Sequence, residues 1–208
     1  SLIETNPTSK DPREDKFGIR LTEKGRQYIK YTLGVPVFET PFFLLAHAYA
    51  LVSEKYAANG WSRPYMLLVG LAPIFYICLG FWLLAGVFLH YFSRYVTALT
   101  VIAIAFATNS LYQGTYVVMA HGYLFFAHAL LIYLTVGFYR SPSARGALFI
   151  GMTVGLIALT RVPEIISAAV PLVWGIRNKA TLRERFRFFS VSPSLLMAFT
   201  YVLQCAEP

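Results

Sequence analysis

The stretch from Gly146 to Ile176 constrains the fold of this chain most. It is a long apolar run interrupted once, by Arg161-Val162-Pro163-Glu164, and basic residues flank it on both sides. Because excess Lys and Arg in short loops marks the cytoplasmic side of a membrane, both ends of the run are predicted to lie inside. Two legs of about 15 residues reach only ~23 Å each, short of a ~30 Å hydrocarbon core. The sequence therefore predicts a broken hairpin whose turn lies at membrane depth.

The turn of this hairpin carries an arginine, a proline and a glutamate. A charge at membrane depth is costly, and irregular backbone survives there only against protein or a water-filled cavity. We therefore interpret the hairpin 146–176 as the wall of a functional site.

The composition places the chain among multispanning membrane proteins. Hydrophobic residues make up 57% of the sequence and charged residues only 13%, which is typical of an all-α, polytopic integral membrane protein. The net charge of +8 could suggest a nucleic-acid partner. However, the basic residues lie in loops beside apolar spans, where they set topology and meet anionic lipid headgroups. We expect the lipid bilayer as a partner and no nucleic acid.

Hydropathy divides the chain into a polar outer-loop segment, residues 1–33, and a transmembrane helical domain, residues 34–208. The predicted parts of that domain are a re-entrant or interfacial helix at 34–52, spans at 65–89, 96–110 and 123–139, the broken hairpin 146–176 and another span at 190–204. Residues 34–52 are predicted to cross poorly because the run contains Pro36, Glu39 and Pro41. The absence of an initiator Met and the end just after a span suggest a fragment of a longer protein.

The charge pattern also predicts which loops share a side of the membrane. With Arg94, Arg140 and the basic run 177–187 inside, the segments 53–64, 109–121 and 161–164 lie outside. These three outer segments are therefore able to face each other.

Three stretches together resemble the multispanning bacterial glycosyltransferases of the GT-C class, which include the protein O-mannosyltransferases and aminoarabinose transferase. The stretches are YIKYTLGVPVFETPFFLLA (28–46), NSLYQGTYVVMAHGYLFFAHALLIYL (109–134) and GLIALTRVPEIISAAVPLVWG (155–175). The first is similar to the end of the large outer loop of that class, the second to its next outer loop and helix, and the third to its arginine-containing broken hairpin. The resemblance covers roughly residues 17–176.

The resemblance implies a partial GT-C-like helical bundle in the bacterial cytoplasmic membrane. It implies transfer of a hexose or pentose from a polyprenyl-phosphate-linked donor to an unknown acceptor on the outer face. An aspartate in the first outer loop usually activates the acceptor in this class, but Asp11 and Asp15 do not align with it, so no catalytic residue is assigned. No cofactor is expected within this sequence, although the full-length protein could still use a divalent metal.

Arg161 and His121 are the predicted donor-phosphate-binding residues. A guanidinium suits bidentate phosphate binding, while the alternative for Arg161 is a structural ion pair with Glu164 at i,i+3 spacing. His121 comes where an outer loop becomes a helix, and its alternative is a loop histidine that faces water. Glu164 is predicted to orient Arg161 or a sugar hydroxyl.

Neutral polar and aromatic side chains in the 109–121 loop are predicted to bind the sugar: Asn109, Tyr112, Gln113 and Tyr116. Tyrosines at the membrane interface are the competing explanation for some of them. His128 lies seven residues after His121, a spacing that does not chelate one metal ion, so no metal site is predicted. A second possible function is a transporter or lipid-handling protein that uses the hairpin 146–176 as its substrate site.

Overall fold

The computed structural model describes residues 19–21, 27–29, 32–109, 112 and 120–176, which fall in two compact units, one up to Leu33 and one from Gly34 onward. In the first unit, strands β1 (Ile19–Leu21) and β2 (Gln27–Ile29) pair antiparallel, with Arg20 opposite Tyr28. The sequence predicts only a polar loop here, because three-residue strands are too short for an alternating pattern to be recognised.

Every regular element described in the second unit is a helix. The helices are α1 (Gly34–Val52), α2 (Arg63–Tyr91), α3 (Arg94–Ala107), α4 (Ala120–Arg140), α5 (Ala144–Thr160), a 3₁₀ segment (Val162–Ala168) and the short α6 (Ala169–Val173). Among the described residues, α1, α2 and α4 are long and apolar enough to cross a membrane, and α3 and α5 are shorter apolar helices. Large apolar side chains such as Trp82, Leu99 and Phe106 are mostly exposed, as suits contact with lipid.

The helix bounds differ from the predicted spans where capping residues act. The span predicted at 96–110 is α3, which begins at Arg94 because the Ser93 hydroxyl accepts a hydrogen bond from the Val96 N–H at 3.5 Å. Helix α1 is continuous through Pro41. Whether α1 crosses the membrane or lies at its interface stays a prediction, and the span predicted at 190–204 lies outside the described residues.

Helix α4 lies at the centre of the second unit and packs against α2, α5 and α6. Helices α2 and α4 run parallel, since Gly122 lies beside Ile77 and Gly80 lies beside Phe125 further along both helices. At the end of α4, Arg140 contacts His90 near the end of α2. We call this the Arg140 end of the bundle.

Helix α5 runs back along α4 from the Arg140 end, where Gly146 lies against Phe138. We call the opposite end, where α4 begins beside the middle of α2 and α5 finishes, the Arg161 end. The chain then returns through the 3₁₀ segment and α6, and the Tyr139 hydroxyl donates a hydrogen bond to the Pro171 carbonyl at 2.6 Å. Both legs of the hairpin therefore contact the last turn of α4.

The first turns of α1 are fixed at the Arg161 end by aromatic packing. The Phe38 ring stacks on Tyr123 at a centroid distance of 5.4 Å and meets the edge of Tyr76 at 5.1 Å. Because Ala46 and Ala50 then pack with Tyr65, α1 runs antiparallel to α2 along its first half. This arrangement joins α1, α2 and α4 around one aromatic cluster.

Candidate functional site

The break in the hairpin begins at Arg161. Its N–H donates to the Ile157 carbonyl at 2.9 Å, but its own backbone is extended, with φ −155° and ψ 109°. Pro163 prevents the α-helix from continuing, because proline lacks an N–H and its ring would clash with the carbonyl four residues earlier. Helix α5 therefore ends at Thr160, and Arg161 lies in the non-helical backbone that follows it.

Three ionisable side chains meet at the break. Glu164 pairs through one carboxylate oxygen with Arg161, at 3.6 Å from Nη1, and through the other with His128, at 3.6 Å from Nε2. The Arg161 side chain is 52% exposed, whereas those of Glu164 and His128 are 30% and 34% exposed. Both nitrogen–oxygen distances are longer than the donor–acceptor distance of a normal hydrogen bond. The guanidinium is therefore held loosely and remains accessible to a ligand.

His128 is the member of this cluster that sequence reasoning missed. It lies on α4, and its Nδ1 donates a hydrogen bond to the Leu124 carbonyl oxygen at 2.7 Å. From sequence alone, His128 could be placed only relative to His121, seven residues earlier on the same helix. The signal that could have found it is the need of a carboxylate within an apolar hairpin, Glu164, for a polar partner on a neighbouring helix.

A second carboxylate, Glu39 on α1, also meets α4. The hydroxyl of Tyr123, which is fully buried, donates to Glu39 Oε1 at 3.1 Å. Glu39 is part-buried, so this bond satisfies a carboxylate within an apolar helix. Glu39 and Glu164 are thus both partnered by polar side chains of α4, Tyr123 and His128 respectively.

The remaining predicted site residues are exposed or lie outside the described residues. His121 is exposed in the first turn of α4, and Asn109 and Tyr112 are exposed in the preceding segment. Gln113 and Tyr116 lie outside the described residues. Of the predicted set, the structure brings Arg161 and Glu164 into contact. The binding roles of all the predicted residues, these two included, stay predictions.

An open apolar groove of about 760 Å³ lies elsewhere, between the last turns of α1 and the first turns of α2. Its lining includes Tyr49, Tyr56, Arg63 and Leu67 but none of the three ionisable residues at the hairpin break. Within the described part of the chain, no three His, Cys, Asp or Glu side chains are grouped so that they could hold a metal ion. The ionisable cluster of Arg161, Glu164 and His128 is therefore separate from this groove.

Searches of protein-family models, curated proteins and solved structures find no match to this chain. The resemblance to GT-C-class glycosyltransferases therefore stays a prediction.

Proposed function

We propose that this protein is an integral membrane glycosyltransferase that moves a sugar from a polyprenyl-phosphate donor to an acceptor on the outer face of the membrane. The observation that supports this most is the half-exposed guanidinium of Arg161 at the hairpin break. Its distance to the Glu164 carboxylate is 3.6 Å, which is long for an ion pair with a hydrogen bond. A guanidinium presents two parallel N–H groups that match two phosphate oxygens. A donor phosphate can therefore displace the Glu164 carboxylate from Arg161.

The apolar surface beside Arg161 supports a lipid-linked donor. Val162 is 54% exposed and Ile166 is 75% exposed, and both belong to the 3₁₀ segment that follows the arginine. A cation next to exposed apolar side chains is complementary to a phosphate that carries a hydrocarbon chain. A polyprenyl phosphate has this combination of charge and chain.

The reaction is a direct displacement at the anomeric carbon. The oxygen of an acceptor hydroxyl forms the new bond, and the bond between the anomeric carbon and the donor phosphate oxygen breaks with inversion of configuration. The bonding pair leaves with the phosphate, and the hydroxyl proton passes to a base that the described residues do not identify. Arg161 stabilises the negative charge that develops on the leaving phosphate, the role that a fixed cation performs best.

Glu164 balances the charge of Arg161 while the site is empty. A lone guanidinium at membrane depth costs at least ~2.5 kcal/mol, so it requires an anion, protein or water. When the donor binds, its phosphate replaces the carboxylate as the partner of Arg161. His121 is proposed to assist at the phosphate, and Asn109, Tyr112, Gln113 and Tyr116 are proposed to contact the sugar.

Sugar transfer by membranes that contain the protein tests this function. Radiolabelled sugar is supplied on a polyprenyl phosphate, and label that leaves the donor is measured for the unchanged sequence, Arg161→Lys and Arg161→Gln. Arg63→Lys is the matched control, because Arg63 is an exposed arginine in the first turn of α2. Loss of a charge-assisted hydrogen bond costs ~1.5 to 3 kcal/mol, which corresponds to a fall of about ten- to a hundredfold.

Transfer at the normal rate by both folded Arg161 variants would refute the assignment of Arg161 to the donor phosphate. A second function is favoured by the discontinuity of the helix between Thr160 and Val162, since transporters bind substrates at broken helices. Uptake of a solute into vesicles without any sugar transfer would support that function instead.

A further inference from the structure

Glu164 is shared between two nitrogen-bearing partners on different elements. One carboxylate oxygen lies 3.6 Å from Arg161 Nη1 within the hairpin, and the other lies 3.6 Å from His128 Nε2 on α4. Neither partner has a close hydrogen bond to the carboxylate. Whether the carboxylate interacts more strongly with Arg161 or with His128 therefore depends on the charge of the histidine.

The hydrogen bond to Leu124 fixes which ring nitrogen of His128 faces Glu164. A carbonyl oxygen only accepts, so Nδ1 carries the proton that it donates at 2.7 Å. In the neutral ring, Nε2 therefore presents a lone pair to the carboxylate and makes no hydrogen bond with it. Once Nε2 takes up a proton, it becomes a charged donor aimed at the carboxylate. Protonated His128 thus competes with Arg161 for the Glu164 carboxylate, whereas neutral His128 does not.

The net charge around Arg161 depends mainly on the cluster of Arg161, Glu164 and His128, because the other charged groups are paired or lie further away. The titratable and charged groups described on α4 and on the elements packed against it, at the Arg161 end and in the middle of the bundle, are Glu39, Tyr76, Cys78, His121, Tyr123, Tyr133, Arg161 and Glu164. Glu39 is already bonded to Tyr123, whereas His90, Arg140 and Arg145 belong to the Arg140 end. The cluster of Arg161 and Glu164 has no net charge with neutral His128 and one positive charge with protonated His128.

We propose that His128 is a positioning residue that acts through Glu164 to control whether Arg161 is free to bind the donor phosphate. With neutral His128, the carboxylate stays on Arg161 and competes with phosphate. With protonated His128, the carboxylate moves towards the imidazolium, and the guanidinium binds the phosphate without that competitor. This inference rests on the proposed function, because it requires that Arg161 holds the phosphate.

Two measurable consequences follow from this exchange. Donor affinity increases by about tenfold as the pH falls from 8 to 5.5, the range in which histidine changes charge. Since the coupling between two bound species is reciprocal, phosphate binding also favours uptake of a proton. A histidine that only packs in the helix bundle produces neither effect.

Binding of methyl farnesyl phosphate to the purified protein in lipid nanodiscs tests this proposal. This probe is a phosphodiester, so its single charge does not titrate between pH 5.5 and 8, and it lacks a sugar. Dissociation constants are measured at both pH values for the unchanged sequence, His128→Gln, Glu164→Gln and Arg161→Gln. His90→Gln is the control, because it removes a histidine at the Arg140 end.

We expect His128→Gln to bind at pH 8 within about twofold of the unchanged protein and to show no gain at pH 5.5. Glu164→Gln should bind tightly at both pH values, because the competing carboxylate is absent. His90→Gln should keep the tenfold gain. If His128→Gln does not fold, the loss of pH dependence in Glu164→Gln still tests the exchange.

The proposal is overturned if folded His128→Gln or Glu164→Gln keeps the full gain at low pH while Arg161→Gln has lost binding. That result leaves the phosphate site of the proposed function intact. Normal binding by Arg161→Gln, or no binding by the unchanged protein, contradicts the phosphate site itself and this inference with it.

Discussion

The backbone of Gly34 lies directly against Thr160, the residue that precedes Arg161. A methyl group built on Gly34 would overlap both the backbone and the side chain of Thr160. This contact allows the start of α1 to approach the end of α5 as closely as two backbones can. The position of the hairpin break thus depends on the absence of a side chain on another helix.

Gly34→Ala is therefore expected to destabilise the protein and displace the end of α5. Forced overpacking costs ~1 to 3 kcal/mol, and the nearest atoms here belong to backbone that cannot rotate away. Thermal unfolding in detergent micelles measures the loss. Gly70→Ala is the matched control, since a Cβ there meets nothing within 4 Å and alanine favours a helix by ~1 kcal/mol. Equal unfolding temperatures for the two variants would contradict the close approach.

Tyr123→Phe is expected to destabilise the contact between α1 and α4. The change removes the hydroxyl that bonds Glu39 and leaves a part-buried carboxylate oxygen without it, at a cost of ~1 to 3 kcal/mol. Tyr133→Phe on the same helix is the control, because Tyr133 is 48% exposed. Thermal unfolding of both variants checks the difference. If both variants unfold like the unchanged protein, the bond contributes nothing to stability.

Cysteine labelling in intact cells tests the predicted sidedness. In a background without Cys78 and Cys205, we expect Asn59→Cys to react with a membrane-impermeant maleimide from outside. Ser141→Cys, beside Arg140, should react only after the cells are permeabilised, because basic loops remain in the cytoplasm. The reverse pattern would show that the Arg161 end faces the cytoplasm.

The helices were predictable from sequence where hydropathy alone determines them. Helices α2 and α4 contain the predicted spans 65–89 and 123–139, and their ends differ by a few residues. Pro64 in the first turn of α2 has the fixed φ that suits a helix start. The broken hairpin was predictable because Arg161 and Pro163 interrupt an otherwise apolar run.

The partners of the two carboxylates could not be predicted in the same way. Glu39 meets Tyr123 across 84 positions, and Glu164 meets His128 from another helix. Such pairs depend on how helices rotate and pack, which the periodicity of a single helix does not determine. The i,i+3 pair of Arg161 and Glu164 was predictable because both residues belong to one local segment.

The most direct test of the account is a cryo-electron microscopy structure of the protein in a lipid nanodisc with methyl farnesyl phosphate bound. We expect two phosphate oxygens at about 2.7 to 2.9 Å from the Arg161 guanidinium. The farnesyl chain should lie along the exposed Val162 and Ile166, and Glu164 should have moved away from Arg161. Phosphate density at another place, with the 3.6 Å pair of Arg161 and Glu164 intact, would contradict the central claim.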